Sequence, residues 1–133
     1  MSALEVVKQY YDSFNNGNWE AMLALVSDNI RHEPNQADQP RIGKELFQAF
    51  MAKMDEAYQE KLTDMVFMTE PTGTRVAVEF VVNGIYKKAE EGLPAAHGQT
   101  YILPAGAFLS VENGLITRVT TYYNLEEWIK LVS

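Results

Sequence analysis

The chain has 133 residues, no cysteine and a formal charge of −7. That length predicts one domain, residues 1–133, and the missing cysteine excludes a disulfide framework, a thiolate nucleophile and a cysteine zinc site. An acidic balance without clustered Lys or Arg argues against nucleic acid or an anionic membrane surface as partner, and two histidines are too few for a histidine-rich metal site.

Leu4, Val7, Tyr11 and Phe14 recur at helical spacing, and so do Trp19, Met22, Leu23 and Val26. Asn15-Asn16-Gly17-Asn18 breaks between the two helices and supplies an N-cap for the second. The N-terminus leads straight into the first helix without the basic region and apolar core of a signal peptide, and no apolar run approaches membrane-spanning length. The expected location is cytoplasmic. Residues 28–35, Asp-Asn-Ile-Arg-His-Glu-Pro-Asn, form an unusually polar strand, followed by a polar loop over 36–41. Gly43 opens a third helix running to Tyr58, with Leu46, Phe47, Phe50, Met51, Met54 and Tyr58 on one broad face.

From Glu60 the period changes. Strands are predicted over 62–68, 75–86, 99–111 and 115–123, with turns at Pro71-Thr72-Gly73 and Glu112-Asn113-Gly114. Pro104 and Gly106 inside the third of these suggest a bulge or a close backbone approach. Residues 87–98 form a charged loop, and 125–131 a short helix anchored by Trp128. The predicted class is α+β, with helices on one side of an antiparallel sheet. Long strands of this kind curl, and a curved sheet around a long helix leaves a conical cavity.

Several stretches carry a resemblance in this order. They are Val6-Val7-Lys8-Gln9-Tyr10 with Phe14-Asn15-Asn16-Gly17 and Trp19; Leu25-Val26-Ser27-Asp28-Asn29; Pro40-Arg41-Ile42-Gly43; and 108–116 closing on Tyr122-Tyr123-Asn124. Together they resemble the nuclear transport factor 2-like superfamily, in its ketosteroid isomerase and SnoaL-like polyketide cyclase branch. The resemblance implies a cone-shaped, cystatin-like fold over nearly the whole chain. It also implies acid–base chemistry with a carboxylate base before a proline at the end of the first strand, and a tyrosine donor on the first helix. These roles fall on Glu33, before Pro34, and on Tyr10. The isomerases' oxyanion-hole aspartate falls on Gly106, which cannot donate a hydrogen bond, and the cyclases' acid–base position falls on the amide Asn124.

Read from the residues, Glu33 is either a general base in an apolar cone or a strand-end carboxylate held by Arg31, Arg41 or solvent. His32 alternates with Glu33, so only one of the two points into the cavity; it is either the base or proton carrier, or a half-buried strand histidine. Tyr10 is either an oxyanion donor or a core tyrosine. Asn35 lies at the mouth. By parity and resemblance Val78, Phe80, Val82, Phe108, Val119 and Tyr123, with Gly106, line the cavity, and Glu79 and Val81 face the convex side. The enzyme reading is an isomerase- or cyclase-like acid–base catalyst on a small hydrophobic carbonyl compound, without a cofactor or metal. The other is a non-catalytic pocket for a small hydrophobic ligand, or a dimerisation module. In either case the apolar convex face predicts a homodimer.

Overall fold

The computed structural model describes residues 1–36 and 38–133; Ala37, in the loop predicted over 36–41, lies outside the described residues. Ser2 caps helix α1 (Ala3–Asn15) by accepting the Glu5 N–H at 3.1 Å, and Asn18 caps α2 (Trp19–Ala24) by accepting that of Ala21 at 3.1 Å. The break between them does a second job. The Asn15 amide accepts the N–H of Leu62 at 2.8 Å and donates to its carbonyl at 2.9 Å, so the end of α1 is pinned to the sheet.

Strand β1 (Val26–Glu33) leads to β2 (Arg41–Ile42) and α3 (Lys44–Ala57). Four longer strands follow, β3 (Tyr58–Thr69), β4 (Arg75–Tyr86), β5 (Gln99–Glu112) and β6 (Leu115–Tyr122), and then α4 (Leu125–Val132). The six strands form one sheet in the order β2-β1-β6-β5-β4-β3. The expected all-antiparallel sheet needs one correction, because β1 runs parallel to β6. A parallel pair needs a long crossover, and the chain from β2 to β5 provides it. The two-residue β2 is too short to leave a periodic signal.

Strand β3 starts at Tyr58, not at Leu62. Tyr58 already has extended dihedrals, and residues 58–63 pair without a break against 86–81 of β4. Asp64, at φ 54°, marks a register shift between Thr63 and Val66, and a bulge of this kind bends and twists the strand. The 112–114 hairpin is as expected, with Asn113 at φ 51° and Gly114 at φ 77°, the left-handed pair a tight antiparallel turn requires. By contrast, β4 and β5 pair without interruption from Arg75–Ser110 to Tyr86–Gln99, so Pro104 and Gly106 produce no bulge between them.

The core lies on the concave side of the sheet. Val6, Val7 and Tyr10 of α1 and Phe47 of α3 pack there against Ile30, Val76, Val78, Leu109, Ile116 and Val119. Helix α4 packs against β5, with Leu125 and Trp128 on the cavity wall. Its Trp128 ring meets Tyr86, Tyr101 and Tyr58 with centroids 4.9, 5.8 and 5.9 Å apart, all edge-on. Among the described residues no helix is long and apolar enough to cross a membrane.

Candidate functional site

Between α1, α3 and the concave face lies a cavity of about 400 Å³. A larger and more open groove, about 730 Å³, runs past the start of β1 and the β5–β6 hairpin, and none of the candidate residues lines it. Small-molecule sites are enclosed, so the cavity is the candidate site.

The register decides which β1 residue reaches it. His32 pairs with Val119, on the concave face, and Glu33 pairs with Thr120, on the convex one. His32 therefore lines the cavity and Glu33 does not. This corrects the base position implied by the resemblance. Glu33 Oε1 instead accepts the Thr120 hydroxyl at 2.9 Å and Arg31 Nε at 3.2 Å, and Arg118 Nε donates to Thr120 Oγ1 at 2.9 Å. Burial pushes the Glu33 carboxyl up, but Thr120, Arg31 and Arg118 outweigh it and hold the group below the usual carboxylate range.

His32 is only 5% exposed. Its ring sits edge-on to Phe47 and Phe50, with centroids 5.1 and 4.7 Å away. Among the described residues nothing hydrogen-bonds its buried Nδ1. Burial, reinforced by the Arg41 guanidinium, holds the imidazole down at about 4, against the weaker opposite pull of Glu33. The ring is therefore neutral at physiological pH, and among the described residues no partner at Nδ1 fixes its tautomer.

Tyr10 lines the same cavity, edge-on to Tyr11 at 5.0 Å and tilted against Phe47 at 6.4 Å. Burial raises its hydroxyl well above the usual tyrosine value, so it stays a donor. Phe80, Val82, Val119 and Tyr123 also line the cavity. Asn35 is buried beside Tyr123, whose hydroxyl it pulls down against the larger upward effect of burial.

Three expected lining residues are elsewhere. Val78 is buried in the core without reaching the cavity. Gly106 and Phe108 belong to the outward set of β5. Phe108 pairs with Ala77 and Thr120, is 44% exposed, and meets the Tyr122 ring at 5.2 Å on the convex face. A Cβ at Gly106 would lie 3.1 Å from the Val78 carbonyl oxygen, so this position supplies a close backbone approach and no cavity wall. Asn124 is the N-cap of α4, its side chain accepting the Glu127 N–H at 3.0 Å.

Sequence reasoning missed the polar part of the wall. Glu60, Tyr101 and Tyr58 face the cavity, and Glu90, Glu91 and Leu93 of the 87–98 loop close over it, where His97 stays exposed. The loop is held by the Tyr86 hydroxyl, which donates to the Pro94 carbonyl at 2.7 Å. Among the described residues no group of three or more His, Cys, Asp or Glu is arranged to hold a metal.

This cone with a buried histidine and tyrosine on its wall has the architecture of the NTF2-like proteins, one of which, from Burkholderia pseudomallei, superposes with a TM-score of 0.79 at 18% identity over 100% of this chain and 99% of its own. The chain belongs to the SnoaL-like family, whose domain model matches residues 7–119. It is similar to a candidate polyketide cyclase from Pseudomonas putida KT2440, with 49% identity, a TM-score of 0.97, and coverage of 100% of this chain and 99% of that one. Another candidate polyketide cyclase, from Xanthomonas campestris, is 49% identical, with a TM-score of 0.94 over 98% of this chain and 96% of that one. None of the curated proteins matches.

Proposed function

We propose that this chain is a cofactor-free acid–base enzyme, isomerase- or cyclase-like, acting on a small carbonyl compound in the cone. The observation that carries this reading is His32: buried on the cavity wall, neutral, and, among the described residues, without a partner at Nδ1. A buried polar atom left unpaired costs about 1–3 kcal/mol, which a purely structural core position would avoid by carrying an apolar residue. A neutral imidazole offers an N–H to a carbonyl oxygen without adding charge to the site. Tyr10 is the second donor to the developing oxyanion, linked to His32 through the Phe47 ring that both touch. The candidate cyclases at 49% identity support enzyme chemistry of this class. The wall is more polar than the sequence suggests, which favours an aromatic ketone with further polar groups over a bare hydrocarbon.

The test is α-carbon deuterium exchange of α-tetralone, β-tetralone and acetophenone in D2O, followed by NMR. The wild type should accelerate exchange, and Tyr10→Phe should slow it about a hundredfold, the loss expected for one oxyanion donor. Binding of these ketones with no exchange above the buffer rate would replace this reading by the non-catalytic pocket.

We also propose that a second copy of the chain covers the convex face. Met68, Ala77 and Phe108 lie in one row across three strands, and Val66 and Tyr122 in the next, with Ile102, 67% exposed, nearby on the same face. An apolar face of this extent needs a cover. Light scattering should give a dimer at micromolar concentration, and Phe108→Glu should convert it to monomer. A monomeric wild type would remove the dimer.

A further inference from the structure

Glu60, Gly84 and Tyr101 stand side by side on the concave face. Gly84 of β4 pairs with Glu60 of β3 on one side and with Tyr101 of β5 on the other. Because Gly84 has no side chain, the Tyr101 ring lies across β4 and its hydroxyl donates to Glu60 Oε2. A Cβ at Gly84 would fall 2.2 Å from the Tyr101 ring, so nothing larger fits beneath it. Trp128 meets that ring edge-on from above. The tyrosine is thus held from two sides, and it holds the carboxylate by one oxygen, while among the described residues nothing hydrogen-bonds Oε1.

Glu60 lines the same cavity as His32 and Tyr10. Resting on the function proposed above, we propose that Glu60 is the base that takes the proton from the substrate carbon, and that Tyr101, seated over Gly84, is the residue that positions it. Glu60 removes a proton from the carbon next to the carbonyl. The C–H electron pair becomes the C=C bond of the enolate, and the carbonyl π pair moves onto the oxygen, which His32 and Tyr10 stabilise. Return of the proton to carbon regenerates the carboxylate, and no oxidant or co-reactant is needed.

The electrostatics agree with this division of labour. Burial pushes the Glu60 carboxyl up, with the Tyr101 hydroxyl pulling partly against it, while His32 is pushed down. Both shifts come first from burial, which disfavours the charged form of each group, so the imidazole stays neutral and the carboxylate is a stronger base than an exposed one. The phenols facing the cavity, Tyr10 and Tyr11 from α1, Tyr58 and Tyr101 from the sheet and Tyr123 after it, are all raised and stay protonated. The remaining charged groups around the cavity are Arg41 of β2, Asp38 before it, and Glu90 and Glu91 of the 87–98 loop.

The experiment measures α-tetralone exchange and its pH–rate profile for the wild type and for Glu60→Gln, Glu60→Asp, Tyr101→Phe and Gly84→Ala, with ketone binding followed by thermal shift. Glu60→Gln should slow exchange about a thousandfold, within the range for losing a general base, and still bind the ketone. Glu60→Asp should exchange slowly and keep the acid limb of the profile. Tyr101→Phe and Gly84→Ala should both move that limb to higher pH, because the carboxylate loses its donor. Exchange by Glu60→Gln at the wild-type rate, with Tyr10→Phe still slow, would overturn the assignment of Glu60 and leave the proposed function standing. No exchange of any of the three ketones by the wild type would overturn both.

Discussion

His32→Phe should lower turnover by about a hundredfold to a thousandfold, while Glu33→Gln should stay within about threefold of the wild type. The two residues are neighbours in sequence, so position alone does not separate them. Their surroundings do. His32 is wedged between the Phe47 and Phe50 ring edges on the cavity wall, whereas Glu33 is tied to Thr120 and Arg31 on the other face. Phenylalanine keeps the ring packing of position 32 and removes both nitrogens. Because it also removes an unpaired buried atom, the variant should fold at least as well as the wild type at neutral pH. A loss of activity can then be read as lost chemistry and not as lost structure. Steady-state kinetics on the fastest-exchanging ketone would decide it. Equal losses in both variants would mean that the register across β1 and β6 does not separate the two side chains functionally.

The sequence carried the helices and the long strands because each has a distinctive period. The stripe of Val6, Val7, Tyr10 and Tyr11 reads as helix in any window, and Asn113-Gly114 demands a tight turn. Faces were harder. In β4 the inward Val78, Phe80 and Val82 alternate with Glu79 and Asn83, so parity is legible. In β5 both faces are apolar: Tyr101, Leu103 and Leu109 point in, and Ile102 and Phe108 point out. Periodicity cannot orient such a strand, so parity and resemblance place Phe108 in the cavity where the register puts it outside. The same holds for β1, where a one-residue slip exchanges His32 and Glu33. Glu60 was hidden for another reason. It lies where α3 passes into β3, in a stretch poor in β-branched residues, and its partner is 41 positions away across a third strand. The available signals were weak: a glutamate spaced by two between Tyr58 and Leu62, and a glycine inside the Val-rich β4. A strand glycine often marks a close approach. Only the register shows that what approaches is a tyrosine.

The second large effect is on acid stability. The unfolded chain takes up a proton at His32 near 6.5, but the native protein refuses it down to about 4. Stability from this residue is therefore complete above the unfolded value and falls as pH drops through that window, levelling off below the folded value. The full loss is about 3 kcal/mol at most. Other groups act elsewhere on the scale. Glu33 and Glu70 are held below the ordinary carboxylate value, so their losses begin only under about 4.5. Glu60 is raised, so its protonation favours the folded state on acidification and opposes the trend. Between pH 6.5 and 4.5 the fall should belong mainly to the histidine. Denaturant titrations of the wild type across that interval should show a steady decline, and His32→Phe should flatten it while leaving the loss under pH 4.5. Parallel curves for the two proteins would mean that His32 accepts its proton as readily in the folded state as in the unfolded one. It would then be charged at moderately acidic pH, and the neutral, partnerless imidazole on which the proposed chemistry depends would not exist there.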